Sequence, residues 1–428
     1  MHTPSASLDL NIEVLRTQPD YIAYLPDSTD RATGQTGNEH FLVEPLPGGG
    51  LFAVWTQSSH EGEPDQHIVF ATSHDGGRTW SAPATIAGPD EAKKQGMTSW
   101  GFPLVSKSGR IYVLYSRHIG VNDIFTHTTG LMACIYSDDL GKSWSAETIL
   151  PMPRSSWDNP DPAVPANWIV WQKPVRLSTG QHFTGVTRWV SPQVHRPTPR
   201  SEWWAEATVV EFLRFENVDD DPAPQDLSLT WLCQNENALQ IGLLGHPDLS
   251  VIQEPSWVEL PDQRLFCVMR TTLGSPYYTV SADEGETWTR PEPLRQYDDG
   301  PILPHPCSPC PIYPLDSSNF IFLYHNHDGN FLHYTPAQTS DHRRPICLAR
   351  AEFRPGARQP LWFSEPWFFM DNGGIPILRT DLAMYASTTR TDDGLILWYP
   401  ERKFFLLGKK IPEKMVKALA VKEIPARD

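Results

Sequence analysis

Ser73-His74-Asp75-Gly76-Gly77-Arg78-Thr79-Trp80 is the first of three copies of one pattern. Ser137-Asp138-Asp139-Leu140-Gly141-Lys142-Ser143-Trp144 and Ser281-Ala282-Asp283-Glu284-Gly285-Glu286-Thr287-Trp288 repeat it. Each reads Ser-x-Asp-x-Gly-x-Thr/Ser-Trp, and each follows an apolar strand-like run: HIVFAT, LMACIY and the shorter YYTV. A carboxylate at this spacing accepts hydrogen bonds from turn amides, and the Gly supplies the positive φ of a tight hairpin. The Trp then folds back as a large apolar plug. The motif is structural, so its aspartates are not catalytic candidates.

Weaker copies flank these three. Ser228-Leu229-Thr230-Trp231 keeps the terminal Trp without the Asp and Gly, and Leu361-Trp362-Phe363-Ser364-Glu365-Pro366 matches only the exit. Trp residues at 80, 144, 231, 288 and 362 then mark about one blade of four antiparallel strands per step. With a further blade closed between the N- and C-terminal segments, the pattern predicts an all-β, six-bladed β-propeller. A Pro/Trp-rich insertion around 150–200, from Asp158-Asn159-Pro160-Asp161-Pro162 through Trp168 and Trp171, leaves seven blades as the alternative. No low-complexity linker interrupts the chain, which predicts a single domain over 1–428. The stretch KKIPEKMVKALAVKEI has room for a short helix.

Composition narrows the function. Against 51 Asp and Glu stand 35 Lys and Arg, a formal charge of −16, and no basic run exceeds a pair. That excludes a nucleic-acid partner, which needs a basic face. No apolar run is long enough for membrane insertion. No basic segment followed by an apolar one opens the chain, so the sequence as written reads as cytoplasmic, or as secreted or periplasmic if a leader has been removed. Six cysteines are few for 428 residues. The one close pair, Cys307 and Cys310, lies in a Pro-stiffened loop and is a weak metal signal on its own. His325, His327 and Asp328 lack a convincing ligand spacing, so neither a metal nor another cofactor is expected. Oligomeric state is left open.

The repeats resemble those of the sialidase (neuraminidase) superfamily, whose Asp-box propellers include glycosidases and lyases. Glu254-Pro255-Ser256-Trp257-Val258-Glu259-Leu260-Pro261-Asp262-Gln263-Arg264-Leu265, running on to Met269-Arg270, is similar to the stretch that carries a catalytic Glu ahead of a carboxylate-binding Arg. The resemblance implies that Glu254 partners the nucleophile and that Arg270 binds substrate. Tyr385-Ala386-Ser387-Thr388-Thr389-Arg390-Thr391-Asp392-Asp393-Gly394, followed by Leu397-Trp398-Tyr399-Pro400-Glu401, is similar to the segment bearing a nucleophilic Tyr, which implies that role for Tyr385. A Tyr hydroxyl, with an ordinary pKa of about 10, needs a neighbouring base, and Glu254 supplies one. A further arginine is implied within Arg343-Arg344-Pro345, either Arg344 or Arg343. The loop Glu61-Gly62-Glu63-Pro64-Asp65-Gln66-His67 offers Asp65 as acid/base, with Glu61 and Glu63 as substitutes.

One departure matters. The family's opening Arg-Ile-Pro is absent, and the expected arginine falls at Glu39 or His40. Related propellers use histidine to hydrolyse rhamnose–glucuronate linkages or to β-eliminate across uronic acids. His40, His118 and His127 are candidates for that chemistry, with Arg188 or Lys173 as the cation that neutralises a carboxylate. Trp100, Trp168, Trp171 and Trp189 lie in the same segments and offer faces on which sugar rings stack. The expectation is an exo-acting glycoside hydrolase on a terminal, acidic or acid-linked sugar of a glycan. A polysaccharide lyase or α-L-rhamnosidase-like enzyme comes second, and a non-catalytic glycan-binding propeller third.

Overall fold

The computed structural model describes residues 9–90, 96–195, 207–243, 245–338, 342–373 and 382–423. Six antiparallel sheets follow one another as the blades of a propeller. Blade one comprises Gly37–Pro45, Leu51–Ser58, His67–Ser73 and Ala84–Ala87. Blade two comprises Thr98–Val105, Ile111–Arg117, Leu131–Ser137 and Thr148–Ile149. Asn167–Ile169, His182–Trp189, Thr208–Phe215 and Leu229–Leu232 build blade three, with the short Val175–Arg176 beside His182–Trp189. Blade four is Ile252–Glu259, Leu265–Thr271, Tyr277–Ser281 and Glu292–Pro293. Blade five is Ile312–Pro314, Asn319–Tyr324, Ile346–Phe353 and Leu361–Phe363, with Trp367–Met370 as a fifth strand.

Blade six joins the two ends of the chain. Ser387–Thr391, Gly394–Glu401 and Phe405–Pro412 take Tyr21–Tyr24 as their outer strand, with Tyr21 opposite Gly408 and Ile22 opposite Leu407. Six blades and their closure agree with the sequence reading; among the described residues no seventh blade is formed. The insertion contributes loops, the first two strands of blade three and the short Val175–Arg176 beside them, and its residues 196–200 lie outside the described residues. The short helix near the C-terminus is Glu413–Lys417.

The three regular boxes are the hairpins between the third and fourth strands of blades one, two and four. In each, the Asp accepts from the Thr or Ser amide four residues on, at 2.8–2.9 Å, and from its hydroxyl at 2.6 Å. Trp231, by contrast, sits within an outer strand, which is why its box lacks the Asp and Gly.

The first strands line the axis, and those of blades one, two and four share one irregularity near their starts. Register shifts fall between Asn38 and Phe41, Ser99 and Phe102, and Gln253 and Ser256. These bulges re-aim side chains at one end of the axis. Trp100 and Glu254 hold positive φ there, 55° and 51°, and their amides donate to Thr56 Oγ1 (2.9 Å) and Thr187 Oγ1 (2.7 Å) of the preceding blade. Such backbone is costly for residues with a Cβ and persists only where neighbours impose it. Because strands alternate in direction, the loops joining second to third strands emerge at this same end.

Candidate active site

A cavity of about 300 Å³ opens at the bulged end, lined by side chains of all six blades, among them Glu61, Trp100, Trp189, Glu254, Arg343 and Tyr385. Tyr385 stands at its floor, just before the first strand of blade six. Trp100 and Trp171 wall it in at ring distances of 5.8 and 6.0 Å, and Trp171 is itself fixed by donation to the Pro255 carbonyl (2.9 Å). The phenol donates to Glu254 Oε1 (2.8 Å) and accepts from Arg270 Nη1 (3.1 Å). Arg270 Nη1 also lies 2.8 Å from Glu254 Oε2, while Nε and Nη2 bond Gln253 Oε1 at 3.0 and 2.6 Å. All three charged or phenolic groups are at most 4% exposed.

Burial raises Glu254 above the ordinary carboxylate range, while Arg270 works against that rise. Burial likewise pushes Tyr385 up to about 12, with Arg270 opposing and Glu254 adding to the shift. The phenol is therefore neutral at rest, and it is bonded to a carboxyl group that burial and Arg270 pull in opposite directions. A base within hydrogen-bond reach of a nucleophile, itself oriented by a third group, is the geometry of covalent catalysis.

On the opposite wall, Lys403 Nζ lies 5.1 Å from the Tyr385 ring centre, pairs with Glu39 Oε2 at 3.2 Å and with Glu61, and is almost fully buried. Burial pulls this ammonium down, but Glu61 and Glu39 outweigh that and hold it above its ordinary value. Lys403 has a backbone φ of 52°, in the tight turn between Gly394–Glu401 and Phe405–Pro412. Arg343, 4% exposed, completes the lining; its Nε and Nη2 bond the Cys307 carbonyl at 3.1 and 2.8 Å. It has no carboxylate partner among the described residues, unlike Arg270 and Lys403. Phe125, Trp189 and His127 form the remaining wall; burial lowers the pKa of His127.

The structure thus brings together Tyr385, Glu254, Arg270, Arg343, His127 and Trp100. Other candidates from the sequence lie elsewhere. Asp65 accepts from the Ser59 amide (2.8 Å) and hydroxyl (3.0 Å), so both oxygens cap their own loop, while Glu61 reaches the cavity instead. Arg344 points away and pairs with Asp371 at 2.7 and 2.8 Å. His40 is sealed beneath Trp100, stacked at 5.3 Å and bonded through Nε2 to the Gly101 carbonyl; burial lowers its pKa to about 4. Glu39 pairs with Lys403 at 3.2 Å. Arg188 is wholly buried between Asp158 (2.7 Å) and Glu211 (3.0 Å) inside blade three. Lys173 faces the far end of the axis, pairing with Glu44 at 3.0 Å. His118 bonds the Thr129 carbonyl and lines no part of the cavity. Among the described residues, no three His, Cys, Asp or Glu side chains are placed to hold a metal ion, and no helix is long and apolar enough to cross a membrane.

Sequence reasoning missed Lys403, Phe125 and Gln253. Lys403 has no motif; its only signal is the cationic turn Glu401-Arg402-Lys403 between two apolar strands.

Comparison with known proteins places this geometry. The family model of the BNR repeat-like domain matches residues 49–396. No curated protein matches. Among solved structures, the leech intramolecular trans-sialidase is similar at 15% identity, covering 94% of this chain and 71% of its own, with a TM-score of 0.57. The intramolecular trans-sialidase from Ruminococcus gnavus is similar at 13% identity over 91% of this chain and 97% of its own, TM-score 0.57. A protein of unknown function from Dyadobacter fermentans is similar at 13% identity over 92% and 96%, TM-score 0.58. At such identities the likeness establishes the fold.

Proposed function

The chain belongs to the BNR repeat-like domain family, and from that premise we propose that it is an exo-acting glycoside hydrolase releasing a terminal sugar with one anionic group. The observation that carries the reading is the bonded set Tyr385–Glu254–Arg270, all three lining one cavity. In the first step Tyr385 Oη attacks the anomeric carbon while its proton passes to Glu254. The bond from that carbon to the leaving oxygen breaks, and Glu61 protonates the oxygen. In the second step Glu61 takes a proton from water, whose oxygen displaces Tyr385, and Glu254 returns the phenol proton. Glu61 can carry a proton only with its contact to Lys403 loosened, so the substrate enters between them. Arg343, a buried guanidinium with no carboxylate of its own, receives the sugar's anionic group. The apolar faces of Trp100, Trp189 and Phe125 suit a sugar ring.

A glycan pool digested with the protein and analysed by mass spectrometry tests this. New reducing ends and a released acidic monosaccharide are expected, and Tyr385→Phe should lower the rate by on the order of 10³-fold with unchanged thermal stability. An unsaturated product absorbing in the ultraviolet would establish elimination instead, and no product from any glycan would leave a binding propeller.

A further inference from the structure

Two chain segments meet at Arg343: its own, running to Pro345, and Cys307–Ser308, whose carbonyl holds the guanidinium. One side chain ties these segments together. His325 Nδ1 donates to the Pro345 carbonyl (2.9 Å), and its Nε2 accepts from the Ser308 hydroxyl (2.9 Å). The His325 amide in turn donates to His305 Nδ1 (3.1 Å), and His305 Nε2 donates to the Ser308 carbonyl (2.9 Å). His305 therefore uses one nitrogen as donor and the other as acceptor, which only a neutral imidazole can do, while His325, whose Ser308 partner is a rotatable hydroxyl, is disfavoured as a cation by burial. The two rings are stacked 5.1 Å apart at 3°, and both are at most 1% exposed.

His327 and His342 extend the cluster at 6.1 and 5.7 Å, donating to the Arg344 (3.0 Å) and Thr335 (2.9 Å) carbonyls. The charges facing these rings are each other and the guanidinium groups of Arg343 and Arg270. Asp328, close in sequence, is bonded to Asn330, and the Cys307 thiol is neutral. Among the described residues no carboxylate pairs with any of the four.

We propose that His305 and His325 are positioning residues that hold Arg343 on the cavity wall and make its anion subsite labile to acid. The proposal rests on the reading of Arg343 as the group that meets the substrate's anion. A proton added to His305 sets a donor opposite the His325 amide, one added to His325 must be held in a fully buried ring, and either adds positive charge beside Arg343. Burial already holds His305 down at about 3 and His325 well below its ordinary value. The sign follows. Well above pH 6.5 closed and opened segments bind the same protons. Below it the opened histidines take up protons that the closed ones refuse, so opening becomes easier as pH falls. With an ordinary pKa near 6.5, each histidine raises the opening constant about tenfold between pH 7.5 and 5.5, and the pair about a hundredfold.

Hydrogen exchange on the full chain at those two pH values, corrected for intrinsic rates, reads this without any substrate. Peptides covering 305–310 and 342–348 should open about a hundredfold more at pH 5.5, measured against the strand Ile111–Arg117. His305→Gln keeps a donor for the Ser308 carbonyl and cannot titrate, so its rise should be about tenfold; His325→Gln gives the same test should the first variant not fold. A wild-type rise no larger than that of the reference strand, or a full hundredfold rise in either variant, would overturn the proposal. On a glycan that is turned over, KM should climb with opening while kcat holds within about twofold. Inactivity on every glycan would sink the functional reading and leave the exchange result standing.

Discussion

Arg188 and Arg270 are both buried arginines gripped by carboxylates, yet only Arg270 faces the cavity. Arg188 lies between Asp158 and Glu211 with no exposed surface. Replacing it by Met leaves two buried carboxylates without the guanidinium that neutralises them, which costs about 3–5 kcal/mol. Urea unfolding of Arg188→Met should show that loss. The same contrast explains what could be read from residues alone. Glu254, Arg270 and Tyr385 fall within long similar segments whose strands fix the phase of every side chain. Asp65 and Arg344 lie in loops, where the residue next door or four positions away is as well placed: Arg343 and Glu61 face inward instead. His40 occupies the right strand position, but Trp100 closes over it. No spacing foretells that.

At the scale of the element, the boxes do more than turn the chain. A Cβ on Gly77 would meet Trp398 of blade six at 2.3 Å, one on Gly141 would meet Phe70 of blade one at 2.2 Å, and one on Gly285 would meet Phe183 of blade three at 2.6 Å. Each box glycine is thus pressed against an aromatic ring of the preceding blade, at φ between 84° and 89°. The repeat was legible because turn chemistry demands those residues. The seam between blades was not, since it depends on a partner far away in sequence. Gly141→Ala combines backbone strain with overpacking and should cost about 2–4 kcal/mol. A thermal scan would show it; a melting temperature within a degree of the parent would deny the seam its role.

The whole ring is shut by Tyr21–Tyr24 on Phe405–Pro412 and, next to it, by a buried ionic knot. Glu13 of the short helix Leu10–Glu13 meets Arg402 at 3.0 Å, and Arg402 also bonds Glu401 (2.7 Å). Arg402 is fully buried and directly precedes Lys403. A chain beginning at residue 25 loses both the outer strand and this partner. Its stability should fall by more than about 3 kcal/mol, seen as a lower denaturation midpoint. Lys403 should be displaced with it, so any catalytic rate should fall further than unfolding accounts for.

Blade six carries Tyr385 and Lys403, while Glu39 and Glu61 come from blade one. During synthesis the first blade leaves the ribosome long before the sixth, so the pocket cannot be finished until blade six has been made and has closed on blade one.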